Sequence, residues 1–551
     1  LLSLKVLSSE LRHLKAIKCR FPMNATDSKA SMVIKVHNIV NETTPQSCPS
    51  LQQIPPSILL HVLSSYGLEP KDLAALEASL ICTTIYKMCS AACKFYRSEA
   101  DFEPDATLSL PEVAAYDTCC RKAIFKSMNN QEKGRLKQRC GGSWKLVLMY
   151  LLIGEKNYHR GKSQVVAGPG HSIAVTAKGD VYSFGANSSG QLGLGNTEGQ
   201  FEPCLIRSLQ GIRITQAAVG SRRTMLVSDT GSVYAFGQDS FAGLEFAGAY
   251  TSIPKVVESL KSIFVVQASV GGHFSAVLSR EGQVYTFCWG REARLGHRSD
   301  PNDLEPRLLS GLLEDALVVQ IAAGNCYLLM LAYQPTGMSV YSVGCGLGGK
   351  LGHGCTTNLT IPMVIQHFQT LKVKPVSISA GAFHCAVLAS DGRVFTWGWH
   401  YYGCLGHDDE QKSIELPTAV AGLGSVKARH VSAGYCSTFV IAENGDVYSF
   451  GCHLSHNLGF KAARVEDVGE RIPKLATRIA ALDEKAVQIS ATNTLDWVGD
   501  SYVPDHSHTF VLTESGRLYS LGAGSKGQLG VKLAEGQKTR PAPDRVAIDL
   551  A

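Results

Sequence analysis

No apolar run in this 551-residue sequence approaches a membrane span. The longest, Leu146 to Ile153, is far short of the roughly 20 residues that a helix needs to cross a bilayer. Charge of one sign is also scarce: 53 Lys and Arg stand against 47 Asp and Glu, a formal balance of +6. Most of that excess lies in front, where residues 1–160 hold 21 basic against 14 acidic residues and the remainder holds 32 against 33. A segment so near neutrality has no global field to gather a phosphate backbone, so DNA or chromatin binding is not supported there. The 17 cysteines include no paired Cys-x-x-Cys units, which argues against a structural zinc site. Their odd number and their scatter through apolar stretches favour free thiols in a reducing compartment, cytoplasm and/or nucleus.

Catalytic constellations are missing as well. No Ser/His/Asp or Cys/His set has supporting context, so no catalytic site and no cofactor is expected. Gly522-Ala-Gly-Ser-Lys-Gly527 fits the G-x-G-x-x-G fingerprint of dinucleotide sites but no helix follows it, and Gly185-Ala-Asn-Ser-Ser-Gly190 fills the same slot of another repeat. Both read as turns.

What the chain does contain is self-similarity. A strand-like unit recurs seven times, beginning at Val181 (Val-Tyr-Ser-Phe-Gly), Val233, Val284, Val340, Val394, Val447 and Leu518, with spacings of 52, 51, 56, 54, 53 and 71 residues. Each copy is preceded by an alternating apolar stretch and a two-residue turn ending in glycine, such as Lys178-Gly179, Asp391-Gly392 or Asn444-Gly445. Two alternating runs around such a turn predict a β-hairpin, because the turn needs a positive φ. A Leu-Gly turn then follows in most copies, as at Leu192-Gly193, Leu351-Gly352 and Leu405-Gly406; in the second copy it is degraded to Gly243-Leu244-Glu245. Four short strands per unit and seven units predict a seven-bladed β-propeller over 161–551. The tail Pro541 to Ile548 reads as the closing half of a unit whose other half begins near Val165, which predicts that the two pair. The third copy reads as carrying an extra residue at Cys288-Trp289, hence a bulge. Histidines His171, His273, His384 and His508 recur at one repeat position. Equivalent residues of different blades stand too far apart to share a metal, so each is expected to bond its own blade's backbone.

In front of the repeats the pattern is helical over 48–160, predicting a small all-α domain before the all-β propeller. Ile58, Leu59, Val62 and Leu63 share one face; Pro70 and Asp72 open a second helix with Leu73, Leu76, Leu80 and Ile81 on its face. Val113–Met128 and Ser143–Ile153 read as two more. Residues 1–47 are expected to be a disordered or wrongly assigned extension; 1–22 carry five basic residues and one acid, as transit peptides do.

The string Ala167-Gly-Pro-Gly-His171 through Gly185-Ala-Asn-Ser-Ser-Gly-Gln-Leu-Gly193 resembles a repeat of the regulator-of-chromosome-condensation family, and the likeness runs through all seven copies. It implies a protein-interaction propeller. The founding member is an exchange factor for the GTPase Ran, so the resemblance also implies a small GTPase as an alternative type of partner and nucleotide exchange, which needs a wedge and no catalytic side chain. A plant ultraviolet-B photoreceptor of this fold places tryptophans just after the repeat glycine. Here those positions hold Pro169, Ser221, Gly272, Asn325, Ala382 and Tyr435, which excludes that role.

Two further stretches carry partner expectations. Ile54-Pro-Pro-Ser-Ile-Leu-Leu-His-Val-Leu63 with Leu68-Glu-Pro-Lys-Asp-Leu73 resembles an F-box over 51–90, though Ile54 replaces its leucine and Gly67 intrudes. An F-box implies docking to a Skp-type linker of a cullin ubiquitin ligase, here through Leu59, Leu63 and Leu73. The seventh repeat holds 13 extra residues before His508, among them Asp496, Trp497, Asp500, Tyr502 and Asp505. They predict either a contact loop for a protein partner or a flap over the propeller channel.

Overall fold

The structure is a computed structural model. It describes residues 110–157 and 162–550, apart from 239–249, 289, 291–292, 298–302, 312–315, 401–402, 408–411, 453–455, 460–475, 495–496, 499–500 and 503–506. The described residues form two compact units, 110–126 with 143–149, and 127–142 with 150–550.

In the first unit, α1 (Leu110–Cys120) and α2 (Ala123–Lys126) pack with the start of α4. Rings of Tyr116, Phe125 and Trp144 meet at centroid distances of 4.7 to 6.1 Å. Glu112 of α1 accepts from the hydroxyl of Ser143 (2.6 Å) and the backbone N–H of Trp144 (2.5 Å), satisfying donors that the helix cannot pair itself. The expected helix over Val113–Met128 is thus broken at Arg121–Lys122. A further helix, α3 (Asn130–Arg139), follows with a capping box between Asn129 and Glu132, and α4 runs from Trp144 to Asn157. None of the described helices is long and apolar enough to cross a membrane.

The repeats form seven four-stranded antiparallel sheets. Blade 1 consists of β1 (Gln164–Ala167), β2 (His171–Val175), β3 (Val181–Gly185) and β4 (Gln200–Leu205). Blade 2 is β5 (Ile214–Val219), β6 (Arg223–Ser228), β7 (Val233–Gln238) and β8 (Tyr250–Val256). Blade 3 is β9 (Val265–Val270), β10 (Phe274–Ser279), β11 (Val284–Cys288) and β12 (Asp303–Leu308). Blade 4 is β13 (Leu317–Ala323), β14 (Tyr327–Gln334), β15 (Gly337–Gly344) and β16 (Leu359–Val364). Blade 5 is β17 (Pro375–Ala380), β18 (His384–Ala389), β19 (Val394–Trp399) and β20 (Ser413–Ala419). Blade 6 is β21 (Ala428–Ala433), β22 (Ser437–Ala442), β23 (Val447–Gly451) and β24 (Thr477–Arg478). Blade 7 is β25 (Ala486–Ala491), β28 (His508–Thr513), β29 (Arg517–Ala523) and β30 (Thr539–Asp549), with a hairpin of β26 (Trp497–Val498) and β27 (Ser501–Tyr502) inserted after β25.

Second strands such as β2, β6, β10 and β18 are buried at every residue, because neighbouring blades cover both faces of the sheet. The core lies between blades: one cluster joins Ile173, Val181 and Ile214 with Phe236, another joins Phe439 and Leu458 with Ile489 and Val511. Third strands end on a glycine with φ between 103° and 116° in six blades. A Cβ at Gly451 would stand 2.4 Å from the Cys436 carbonyl oxygen, so the hairpin closes only without one. In blade 3, Cys288 occupies this slot at φ 91°. The expectation of an extra residue there is corrected: Cys288 is the glycine equivalent, and the register shift beside it recurs in the outer ladder of other blades. Trp289 and the degraded turn at Gly243 lie outside the described residues.

Neighbouring blades are also laced by amides. Gln164, Gln216, Gln267, Gln320 and Gln488 hold one register position on the inner strands. Each reaches the next blade's inner strand, as Gln267 does in accepting from Ile321 N–H (2.9 Å) and donating to Ile321 O (3.1 Å). His430 takes the same position in blade 6 and donates to Ile489 O (3.2 Å). The ring closes in the same manner: Gln488 accepts from Val165 N–H and Ser490 from Ala167 N–H. The expected pairing of the tail with the strand near Val165 is therefore corrected. The tail strand β30 pairs with β29 inside its own blade, and side chains close the seam.

Candidate functional site

A propeller offers two faces. The lower face carries the turns between second and third strands and the links between blades; the upper face carries the loops joining first to second and third to fourth strands.

The ring of histidines is part of the framework. Register places His171, Arg223, Phe274, Tyr327, His384, Ser437 and His508 at one position. His273 is thus one residue out of place, and Phe274 takes the slot. The side chains reach the following blade, not their own backbone as expected. His384 Nε2 lies 2.8 Å from Thr438 Oγ1, whose own proton goes to Cys404 O (2.7 Å). The hydroxyl has one proton, so the imidazole must donate from Nε2. The same circuit links His171 to Thr224 and Gln191 O, and His508 to Ser172 and Gln528 O. Burial, and secondarily His400, lowers the pKa of His384 to about 3, so it is neutral. Arg223 donates to Gly271 O and Phe274 O; burial lowers its pKa to about 10, and Arg294 adds to that. Among the described residues no group of three or more His, Cys, Asp or Glu could hold a metal ion.

The insertion in blade 7 emerges on the upper face. Trp497 and Tyr502 sit directly opposite one another in the β26–β27 hairpin; Asp496, Asp500 and Asp505 lie outside the described residues. Its stem reaches inward. Thr492 donates to Gly168 O of blade 1 (3.3 Å), and Asn493 Nδ2 donates to Ala323 O and Ala380 O, both at 3.3 Å, at the upper ends of the inner strands of blades 4 and 5. One side chain of blade 7 bonded to inner strands two and three blades away stands in the mouth of the channel.

An aromatic cluster beside it was not read from the sequence. Phe383 lies 5.0 Å from Trp399 and 5.5 Å from Tyr435, all three half-buried on the upper face of blades 5 and 6. The backbone of Gly348 backs the Trp399 indole, since an added Cβ would stand 1.8 Å from its Cδ1, and the adjoining Leu347 is exposed. The repeat period contains Phe383 and Tyr435 at adjacent offsets, the only trace of the cluster in sequence.

The lower face holds α3. Arg280, in the turn between β10 and β11, donates to Ser127 O and Oγ (both 2.9 Å) and to Glu132 (2.7 Å), while its guanidinium lies 4.7 Å over Phe264. Arg139 donates to Glu281 O (2.6 Å) and Ala316 O (3.1 Å), and Tyr150 to Arg280 O (2.9 Å). The F-box-like residues Leu59, Leu63 and Leu73 lie outside the described residues.

Seven four-stranded blades, joined at six of their seven junctions by an inner-strand glutamine or histidine, define a β-propeller of the protein-interaction kind. The chain belongs to the regulator-of-chromosome-condensation family: residues 131–495 match the model of the RCC1-like domain. It is 32% identical over 339 residues to the E3 ubiquitin-protein ligase HERC2 of Homo sapiens, covering 61% of this chain but 7% of that protein. It is 26% identical over 379 residues to the ultraviolet-B receptor UVR8 of Arabidopsis thaliana, covering 68% of this chain and 84% of the receptor. The crystal structure of Prp20p from Saccharomyces cerevisiae superposes with a TM-score of 0.57 at 21% identity, over 72% of this chain and 89% of that one. That likeness bears on the fold alone.

Proposed function

We propose that the upper face of the propeller recognises a protein and that the segment in front connects it to a cullin ubiquitin ligase, making the chain a substrate adaptor. The observation that carries this reading is the opposition of the two faces. Residues 127–142 are fastened below by Arg280 and Arg139, whereas the aromatic cluster and the inserted hairpin are above. Similarity to an E3 ubiquitin-protein ligase supports a link between such a propeller and ubiquitin transfer. In this reading Leu59, Leu63 and Leu73 bury against a Skp-type linker, and the encounter takes place in the cytoplasm or nucleus. The test is affinity capture with the full chain and with Leu59→Asp/Leu63→Asp. A Skp-type linker and cullin recovered with the first and lost with the second are expected; equal recovery, or none with either, would end the adaptor reading.

A second reading, nucleotide exchange on a small Ran-type GTPase, rests on the hairpin itself, an element added to the four-strand blade 7, away from the mid-propeller place of the founding member's wedge, that would serve as the wedge here. Prp20p, whose propeller superposes on this one, binds Gsp1p and histones. Nucleotide release accelerated by the full chain and slowed again by Trp497→Ala would favour it.

A further inference from the structure

Among the described residues six blades, all but blade 3, continue the second and third strands at their upper end by one opposed pair beyond the glycine, joined by a backbone hydrogen bond. In blade 5 the pair is Phe383 and Trp399, with Trp399 N–H donating to Phe383 O at 3.1 Å. In blade 4 it is Cys326 and Cys345 (3.0 Å), and in blade 6 Cys436 and Cys452 (2.7 Å). All four cysteines are thiols. Directly opposed residues of an antiparallel hairpin have Cα atoms about 4.5 to 5.5 Å apart, inside the span of roughly 4.4 to 6.8 Å that a disulfide bridges. The touching rings of Phe383 and Trp399 show that both side chains of this pair leave the hairpin on one side.

The two dithiols differ in their surroundings. Lys350, itself buried, places Nζ 3.3 Å from Cys345 Sγ and donates to Leu347 O at 2.9 Å. Cys326, its partner, is half-buried at the surface. In blade 6 burial, reinforced by Cys404 and Cys452, pushes the Cys436 thiol well above its ordinary range and keeps it protonated.

We propose that Cys326 and Cys345 form a peroxide-reactive dithiol, with Lys350 as the positioning residue. The Cys345 sulfur attacks one oxygen of hydrogen peroxide; the O–O bond breaks, a sulfenic acid forms, and the departing oxygen leaves as water with the thiol's proton. Cys326 then attacks that sulfur, forms the S–S bond and releases the second water. Two thiols are oxidised by two electrons in all, and hydrogen peroxide is reduced to two waters. The bond closes at the start of the Gly346–Gly349 turn that backs Trp399, so oxidation is felt at the aromatic cluster.

The full chain is treated with hydrogen peroxide, alkylated and mapped by peptide mass spectrometry. The Cys326–Cys345 crosslink is expected about tenfold faster than Cys436–Cys452, with Lys350→Met removing that advantage. In Cys326→Ser the sulfenic acid on Cys345 persists and is captured by dimedone. Equal rates for the two pairs, or an unchanged rate in Lys350→Met with a wild-type circular dichroism spectrum, would overturn the proposal. Should Lys350→Met fail to fold, absence of dimedone label on Cys345 in Cys326→Ser overturns it instead.

Discussion

His384 shows how a residue that invites a chemical reading can serve the fold. Its ring is fully buried, donates from Nε2 to Thr438, and its pKa is lowered to about 3, from 6.5, by burial and by His400. Between those values the unfolded chain binds a proton that the folded chain refuses. Its contribution is therefore complete above pH 6.5 and declines as the pH falls, by about 1.4 kcal/mol per unit. Burial shifts His430 and His353 in the same direction. We expect His384→Gln, which keeps an N–H for Thr438, to narrow the difference in urea stability between pH 7 and pH 5 by about 2 kcal/mol. An unchanged difference would show that His384 is not the group responsible. Recurrence in the sequence marked three of these ring histidines as a class. The direction of their bonds was hidden, since a period says which residues are equivalent and nothing about which blade each faces. The inner-strand glutamines were overlooked for a related reason: one polar residue within a short apolar strand looks like noise until its hydrogen-bond partners are seen.

At the scale of elements, the strands were legible, as were the helices over 113–128 (in two pieces) and 143–153, whereas α3 was not. Hairpin turns advertise themselves through glycine at positive φ, as at Gly179, Gly392 and Gly445. The helix α3 does not: its ten residues are mostly charged or amide, Gly134 interrupts it, and only Leu136 is buried. Its anchorage comes from charge placed on another element 148 residues away in the chain. Removing the guanidinium of Arg280 leaves the Ser127 carbonyl without this donor and Glu132 with only the Asn129 N–H of its capping box, at an expected cost of about 2–3 kcal/mol. The exposed pair Arg393–Asp391, in the corresponding turn of blade 5, is a fitting comparison, because an exposed ion pair contributes about 0–1 kcal/mol. Limited proteolysis should cut within 127–142 about tenfold faster in Arg280→Ala and at the wild-type rate in Arg393→Ala. Equal rates in all three proteins would mean that α3 is held by something other than this guanidinium. The glycine slot of blade 3 was misjudged because Cys288 occupies it while Gly290, two residues on, imitates a shifted motif.

On the scale of the whole molecule, the question is how a linear chain closes a ring. Alternation alone cannot say whether the tail strand pairs with its own blade or with the strand near Val165, because either partner buries the same apolar face. The structure builds blade 7 from its own four strands, so among the described residues the seam with blade 1 is bridged only by side chains and core packing. Gln488 and Ser490 accept from Val165 and Ala167, Phe184 meets Phe510 at 5.8 Å, and Leu550 and Val546 complete the cluster. Gln267 and Ser269 make the matching bonds to Ile321 and Ala323 between blades 3 and 4. There the chain itself links the blades, so separated strands are held at high effective concentration and reclose; at the seam no covalent link does this. Gln488→Leu/Ser490→Ala and Gln267→Leu/Ser269→Ala each leave two backbone N–H groups without acceptors, a similar local loss of about 1–3 kcal/mol per group. Their consequences should differ. In the seam variant, hydrogen exchange at β1 is expected to accelerate at least about tenfold more than exchange at β13 does in the other, because opening the seam frees both ends of the ring. Matching acceleration at the two sites would show that closure rests on the core cluster and that the seam is no weaker than any other junction.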